Sequence, residues 1–171
     1  MSRPVTVTLP SDREVSVVRT FDAPIRLVWD AHTVPQMMQR WLHGPPGWTM
    51  PVCKVDLRPG GRYRYVWRNT ESGAQFGAYG EHQEVEAPRR IVTFEQMDGL
   101  DGGPLLDEPP LDPKLAAVNV LTLEEKDGKT VLTLNMTFPS KEIRDAAVAS
   151  GMTDGMGMSY DRLDAIVGEG T

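Results

Sequence analysis

The chain has 171 residues, enough for one domain with its own core, and 40% of them are hydrophobic. A net charge of −6 and the lack of a lysine and arginine cluster argue against a nucleic-acid partner. No apolar run approaches the roughly 20 residues of a membrane span, so no membrane insertion is expected. The start of the chain shows no secretory signal and Cys53 is its single cysteine, which together favour a cytoplasmic protein.

The first part of the chain predicts one strand followed by two short helices. Residues 1–12 show no regular pattern and are interpreted as a ragged lead-in. Residues 14–21 alternate between apolar and polar side chains, as a half-buried strand does. Pro24 is expected at the start of the first helix and Pro35 at the start of the second. The glycine- and proline-rich segment 43–47 is predicted to be a loop.

From residue 50 onwards the pattern changes to the two-residue alternation of β-strands. Strands are predicted near residues 50–57, 62–68, 75–86, 91–97, 121–123 and 132–138. Asp127-Gly128 is a strong hairpin signal between the last two. In the second of these strands, the arginines that alternate with aromatic residues are predicted to face solvent: Arg62, Arg64 and Arg68. Residues 98–115 are too rich in glycine and proline to extend a strand and predict a long loop.

The last segment of the chain carries a long helical pattern. Apolar residues recur there every three or four positions, namely Val148, Met152, Met156, Tyr160, Leu163 and Val167. Ser140 is a good N-cap, and Gly168 is expected to end the helix. A short helix near 140–149, a kink at Ser150-Gly151 and a longer helix near 152–167 are predicted. The far side should be solvated and carries Asp154, Asp161 and Asp164. The order of all these elements predicts an α+β fold in a single domain over residues 1–171.

Four short strings, in the same order along the chain, resemble a known family. They are Phe21-Asp22-Ala23-Pro24 with Val28-Trp29, Asp56-Leu57-Arg58-Pro59-Gly60-Gly61, Pro88-Arg89-Arg90-Ile91-Val92, and Ser150-Gly151-Met152 with Asp161-Arg162-Leu163. Over roughly residues 14–168 the chain resembles START-like helix-grip proteins, in the branch named for homologues of the activator of heat-shock protein 90 ATPase. This resemblance implies a curved antiparallel sheet of about six to seven strands wrapped around the C-terminal helix, with a cavity between them.

The family name does not by itself give a function. The eukaryotic activator carries an additional N-terminal domain that engages the chaperone, and this chain is expected to lack it. Many members of the family have tryptophan where this chain has Met156. The resemblance therefore implies a larger and softer cavity floor here.

Aromatic and methionine residues are the candidates for a ligand site. They cluster before the midpoint and on the opposing helix face: Trp41, Trp48, Tyr63, Tyr65, Trp67, Phe76, Met152 and Met156. Tyrosine and tryptophan combine an apolar body with a polar tip, and methionine adapts to irregular shapes. The sequence therefore predicts a binding module for a small hydrophobic molecule. The alternative is that each of these residues is ordinary core.

No catalytic, metal or cofactor motif is recognised in the sequence. The three histidines lack the spacing of a metal site, and Gly155-Met156-Gly157 lacks the third glycine of a dinucleotide fingerprint. Cys53 is expected on the inner face of a strand as an inert small hydrophobe. No cofactor and no metal are therefore predicted.

Two other functions remain open, and so does a homodimer. Relatives of this fold include polyketide cyclases and hydrolases, for which the candidate residues here are His43, Tyr65 and His82. The other alternative is a protein-interaction role as a reduced co-chaperone. Paired titratable groups in the cavity would favour an enzyme, and a uniformly apolar cavity would favour binding. A filled core with a large exposed apolar patch would favour interaction.

The long loop carries leucines that a purely solvated linker would not need, namely Leu105, Leu106 and Leu111. We hypothesise that residues 98–115 close one end of the cavity as a mobile lid, with leucines inward and acids outward. The alternative is an ordinary loop whose leucines pin it to the rim.

Overall fold

Residues 5–169, which this computed structural model describes, form eight strands and four helices. The strands are β1 (Thr6–Thr8), β2 (Glu14–Phe21), β3 (Trp48–Val55), β4 (Arg62–Asn69), β5 (Gln75–Glu86), β6 (Arg90–Asp98), β7 (Ala117–Lys126) and β8 (Lys129–Thr137). The helices are α1 (Ile25–Thr33), α2 (Pro35–Trp41), α3 (Lys141–Ala149) and α4 (Met152–Glu169). None of these helices is long and apolar enough to cross a membrane.

The strands form one antiparallel sheet in the order β1-β2-β8-β7-β6-β5-β4-β3. This arrangement confirms the predicted α+β helix-grip fold, although the predicted number of six to seven strands is too low. The missed strand is β1, which lies inside the segment interpreted as ragged and pairs Thr6–Thr8 with β2. Its three residues are exposed, so backbone hydrogen bonds and not an apolar pattern hold it. Residues 1–4 of that segment lie outside the described residues.

The hydrophobic core lies between the sheet and the helices α1, α2 and α4. The alternation of β2 places Val15, Val17 and Phe21 in this core with no exposed surface. The helices contribute further buried residues, which are Val28, Trp29, Trp41, Tyr160, Leu163 and Val167. This cluster leaves part of the inner face of the sheet unfilled, and that part borders a cavity.

The C-terminal helices follow the predicted break. The Ser140 hydroxyl accepts a hydrogen bond from the Ile143 N–H at 3.2 Å, which caps α3. Gly151 has a φ of +84°, a left-handed conformation that glycine adopts readily, and it separates α3 from α4. The prediction that Gly168 ends the last helix is wrong, because α4 continues through it.

The inner face of β2 also buries an arginine that pairs with α4. Arg19 is 1% exposed, and its guanidinium lies 2.9 Å from Asp161 Oδ1 and 3.5 Å from Asp164 Oδ2. The predicted solvated face is confirmed for Asp154 and Asp161, which are exposed, although Asp161 also pairs with Arg19; Asp164 is only partly exposed. The physical reason is that a guanidinium on the inner face needs compensating carboxylates.

The long loop lies on the outer face of the sheet. Arg64 is 7% exposed and donates to both carboxylate oxygens of Asp98, at 2.7 and 2.8 Å, and to the Leu106 carbonyl at 2.9 Å. Arg62 donates to the Pro109 carbonyl at 3.3 Å. The predicted solvent exposure of Arg64 is therefore wrong, although Arg62 and Arg68 are exposed.

The lid hypothesis is wrong for this arrangement. Arg64 points away from the face on which its neighbours Tyr63 and Tyr65 border the cavity. Residues 99–116 contribute nothing to the cavity lining. Two arginines of β4, Arg62 and Arg64, hold the loop on the outer face through its backbone carbonyls.

Candidate functional site

A cavity of about 660 Å³ lies between the concave face of the sheet and α4. The eight residues proposed from the sequence as a ligand site all border it: Trp41, Trp48, Tyr63, Tyr65, Trp67, Phe76, Met152 and Met156. The structure thus brings together residues from five strands and helices, α2, β3, β4, β5 and α4. Whether they contact a ligand stays a prediction.

One wall of the cavity is a row of aromatic rings. The alternation of β4 turns Tyr63, Tyr65 and Trp67 inward, and the rings of the first two lie 4.9 Å apart between centroids. Trp67 stacks on Phe76 of β5 at 5.1 Å, and Phe76 meets Trp48 edge-on at 5.4 Å. These contacts continue across three strands, so the wall is held by ring packing as well as by the sheet.

Two tryptophans that border the cavity have hydrogen-bonded indole N–H groups. Trp67 Nε1 donates to the Leu42 carbonyl at 2.6 Å, and Trp41 Nε1 donates to the Ala31 carbonyl at 2.8 Å. Both acceptors belong to the helical segment after β2. Both tryptophans therefore offer the cavity their apolar surfaces, while the N–H of Trp67 joins β4 to the end of α2 and that of Trp41 joins α2 to α1.

The opposing wall belongs to α4. Met152, Gly155 and Met156 border the cavity there, with Tyr160 deeper in the core. A Cβ atom added at Gly155 would meet no atom within 4 Å. The glycine therefore does not make room for a neighbouring backbone, and it widens the open space in front of the helix.

A carboxyl group interrupts the apolar lining. Glu95 on β6 faces inward, and the Tyr63 hydroxyl donates to its Oε2 at 2.7 Å. Burial raises the pKa of Glu95, against the opposing effect of hydrogen bonds from Tyr63 and Asn119. Burial, followed by the nearby Glu95 charge, raises the pKa of Tyr63 and Tyr65 well above the usual range. Both phenols therefore stay protonated at neutral pH.

Glu95 and its partner Asn119 were missed by sequence reasoning. The sequence did contain a signal for Glu95. Ile91, Glu95 and Met97 are separated by even numbers of positions, so they share one face of a strand that was predicted correctly. A carboxyl group on an inward face is costly unless it is paired or used. Asn119 lies on the neighbouring strand β7, directly opposite Thr93. Only the sheet register brings it next to Glu95.

A neutral histidine borders the cavity near α1. His32 Nδ1 lies 2.8 Å from the Val28 carbonyl, so this nitrogen carries the proton and donates. Burial lowers the pKa of His32 to about 4, so the ring is neutral at pH 7. Among the described residues its Nε2 has no hydrogen-bond partner, and it is therefore an unpaired acceptor.

The three candidate residues for an enzyme are only partly brought together. Tyr65 and His82 border the cavity, and Tyr63 lies between them. The centroid of the Tyr63 ring is 4.9 Å from that of Tyr65 and 5.3 Å from that of His82. His82 Nδ1 lies 3.0 Å from the Gly61 carbonyl, and burial lowers the pKa of His82. His43 lies in the loop after α2 and does not border the cavity.

Within residues 5–169, no group of three or more His, Cys, Asp or Glu is placed to hold a metal ion. The Cys53 thiol lies 3.8 Å from Met38 Sδ, and burial raises the pKa of Cys53 to about 11. The thiol is therefore protonated at neutral pH, which makes it a poor nucleophile.

A family model described as "Activator of Hsp90 ATPase homolog 1-like protein" matches residues 22–168. A solved structure from Rhodobacter sphaeroides is 27% identical, has a TM-score of 0.82 and covers 96% of this chain and 98% of its own. One from Mycobacterium smegmatis is 28% identical, with a TM-score of 0.78 and coverages of 95% and 96%. An AHSA1-like protein from Aeromonas hydrophila, 19% identical at a TM-score of 0.69 and with coverages of 92% and 94%, supports the fold alone. No curated protein matches the chain significantly.

Proposed function

This chain belongs to the activator of Hsp90 ATPase homolog 1-like family, and we propose that it binds a small hydrophobic molecule between its sheet and α4. The observation that carries the proposal is the cavity of about 660 Å³ with its aromatic and methionine lining. This volume lies within the roughly 300–1,000 Å³ of small-molecule sites. Protein interiors are normally close-packed, so a void of this size has no use in stabilising the fold.

The cavity is not the filled core that an interaction role was expected to have. We propose a cytoplasmic location for the binding activity, on the basis of the single cysteine. The homodimer stays a prediction.

The pair of Tyr63 and Glu95 favours a second candidate function, an enzyme that uses the same cavity. Their hydrogen bond joins two titratable groups in an apolar site, which is the arrangement expected of a cyclase- or hydrolase-like centre. The two candidates differ in what happens to the bound molecule. A binding protein releases it unchanged, whereas an enzyme converts it.

Native mass spectrometry of protein purified from its own host tests the binding proposal. We expect a small hydrophobic molecule to copurify and to be recovered chemically unchanged after rebinding and incubation. Recovery of a converted molecule would support the enzyme, and the absence of both bound molecule and dye binding would overturn the binding proposal.

Met156→Trp tests whether a ligand binds in the cavity next to α4, with Ile143→Trp as the control variant. The larger side chain fills space in front of α4, as in many family members, and should lower the affinity for the apolar dye Nile red roughly tenfold, about 1.4 kcal/mol. Ile143→Trp, on exposed α3 away from the cavity, should leave dye binding unchanged. Equal dye affinity of Met156→Trp and wild type would contradict a ligand site next to Met156.

A further inference from the structure

Some of the hydrogen-bond donors that border the cavity are occupied within the protein. The Tyr63 hydroxyl donates to Glu95. The indole N–H groups of Trp41 and Trp67 donate to backbone carbonyls. Arg162, the cation among the lining residues, donates to the Trp41 carbonyl at 3.1 Å. These four donors are therefore engaged in contacts within the protein.

Two buried acceptors that border the cavity lack a hydrogen-bond partner among the described residues. Glu95 accepts hydrogen bonds from Tyr63 and from the Asn119 amide. The side-chain oxygen of Asn119 is buried and has no hydrogen-bond partner among the described residues. His32 Nε2 is a second buried acceptor in the same situation. A carboxylate has room for about four hydrogen bonds, so Glu95 itself retains capacity.

Unpaired acceptors in an apolar site favour a ligand of one chemical class. Each buried acceptor without a donor costs about 1–3 kcal/mol, and a ligand that supplies the donor recovers part of that. From the unpaired Asn119 oxygen beside the Glu95 carboxyl group we propose that the ligand carries a hydroxyl or amino group that donates to both, with its apolar body against the aromatic wall. This inference rests on the proposed binding function, and makes Glu95 its specificity-determining residue.

The same geometry disfavours a ligand that brings a carboxylate to Glu95. Two acceptors would then face each other, and like charges would be added at close range in a low-dielectric site. The competing arrangement is an acid bound at Arg162. The two arrangements predict opposite rankings for ligands that share one apolar body.

Four biphenyl compounds provide this ranking: 4-methylbiphenyl, 4-biphenylmethanol, 4-biphenylmethylamine and 4-biphenylcarboxylic acid. Their affinities for the full chain are measured at neutral pH by displacement of Nile red. We expect the alcohol and the amine to bind roughly tenfold more tightly than the methyl compound, and the acid to bind most weakly. The tightest binding by the acid, or equal binding by all four, would overturn the inference.

Variants then locate the preference. In Glu95→Leu the alcohol and the amine should no longer bind more tightly than the methyl compound. In the isosteric Glu95→Gln the affinity of the amine should fall more than the affinity of the alcohol. Glu84→Gln removes the same charge from an exposed position on β5 and should leave the wild-type ranking unchanged. An unchanged ranking in Glu95→Gln and Glu95→Leu would overturn the role of Glu95. Failure of Nile red to bind wild type, together with the absence of a copurified molecule, would overturn the proposed function, and this inference with it.

Discussion

Glu95 and Arg19 are both ionisable side chains on the inner face of the sheet, and their partners differ in kind. Arg19 has two carboxylates from α4, so its charge is compensated within the protein. Glu95 has only neutral donors, Tyr63 and Asn119, and it borders open space. Arg19 therefore joins two elements, whereas Glu95 keeps hydrogen-bonding capacity for a molecule from outside.

His32 predicts a dependence of stability on pH. Burial lowers its pKa in the folded protein from 6.5 to about 4. As pH falls through this window the unfolded chain takes up a proton that the folded protein does not, so the contribution of His32 to folding is lost. About 2 kcal/mol should be lost by about pH 5.

The variant His32→Asn tests this assignment. Its amide can keep the bond to the Val28 carbonyl but does not titrate. Urea denaturation of wild type and variant at neutral pH and at about pH 5 measures the free energy of unfolding. Wild type should lose about 2 kcal/mol more than the variant on acidification. Equal losses would mean that His32 is not buried in its neutral form.

At the scale of elements, α4 is attached to the sheet by an apolar stripe. Leu163 lies at the centre of that stripe and has no exposed surface. Leu163→Ala should lower the free energy of unfolding by about 2–5 kcal/mol, because it removes buried methyl groups and leaves a cavity. Met158→Ala, at a half-exposed position on the same helix, should cost less than about 1 kcal/mol. Denaturant unfolding measures both, and a small loss for Leu163→Ala would place that helix face in solvent.

Removing the arginine of the ion pairs between β2 and α4 should change the stability of the protein less than removing the two aspartates. Asp161→Asn combined with Asp164→Asn leaves the buried guanidinium of Arg19 uncompensated, which costs about 3–5 kcal/mol. Arg19→Met replaces that charge by an apolar chain, while the aspartates, 45% and 23% exposed, can be hydrated. The double aspartate variant should therefore be the less stable of the two in urea unfolding. The reverse order would show that Arg19 is stabilised by something other than these carboxylates.

At the scale of the whole molecule, local periodicity accounts for what sequence reasoning achieved. Two-residue alternation predicted β2, β4 and β5, and apolar residues every three or four positions predicted α4. The aromatic residues at every second position of β4 led to the residues that border the cavity. Contacts between distant segments were missed, because no local pattern specifies them. Arg19 and Asp161 are 142 positions apart, and Arg64 and Asp98 are 34 apart. The shortest strand, β1, was missed because pairing alone defines it.

The sheet separates two faces that should behave independently. The cavity lies on the concave face, whereas residues 99–116 lie on the outer face, held by Arg64 through Asp98 and the Leu106 carbonyl. Saturation with Nile red should therefore protect amides of α4 from hydrogen exchange and leave those of residues 99–116 unchanged. A gain of protection in this loop on dye binding would restore the lid hypothesis.

Arg64→Met should release the same loop. Removing the guanidinium takes away the hydrogen bonds to Asp98 and to the Leu106 carbonyl, so the loop amides should exchange faster. Arg68→Met is the matched control, because Arg68 lies on the same strand and face but is exposed. It should leave the exchange of the loop as in wild type, and dye affinity should stay unchanged in both variants. Equal exchange in Arg64→Met and wild type would mean that the leucines hold the loop, and weakened dye binding would couple the two faces.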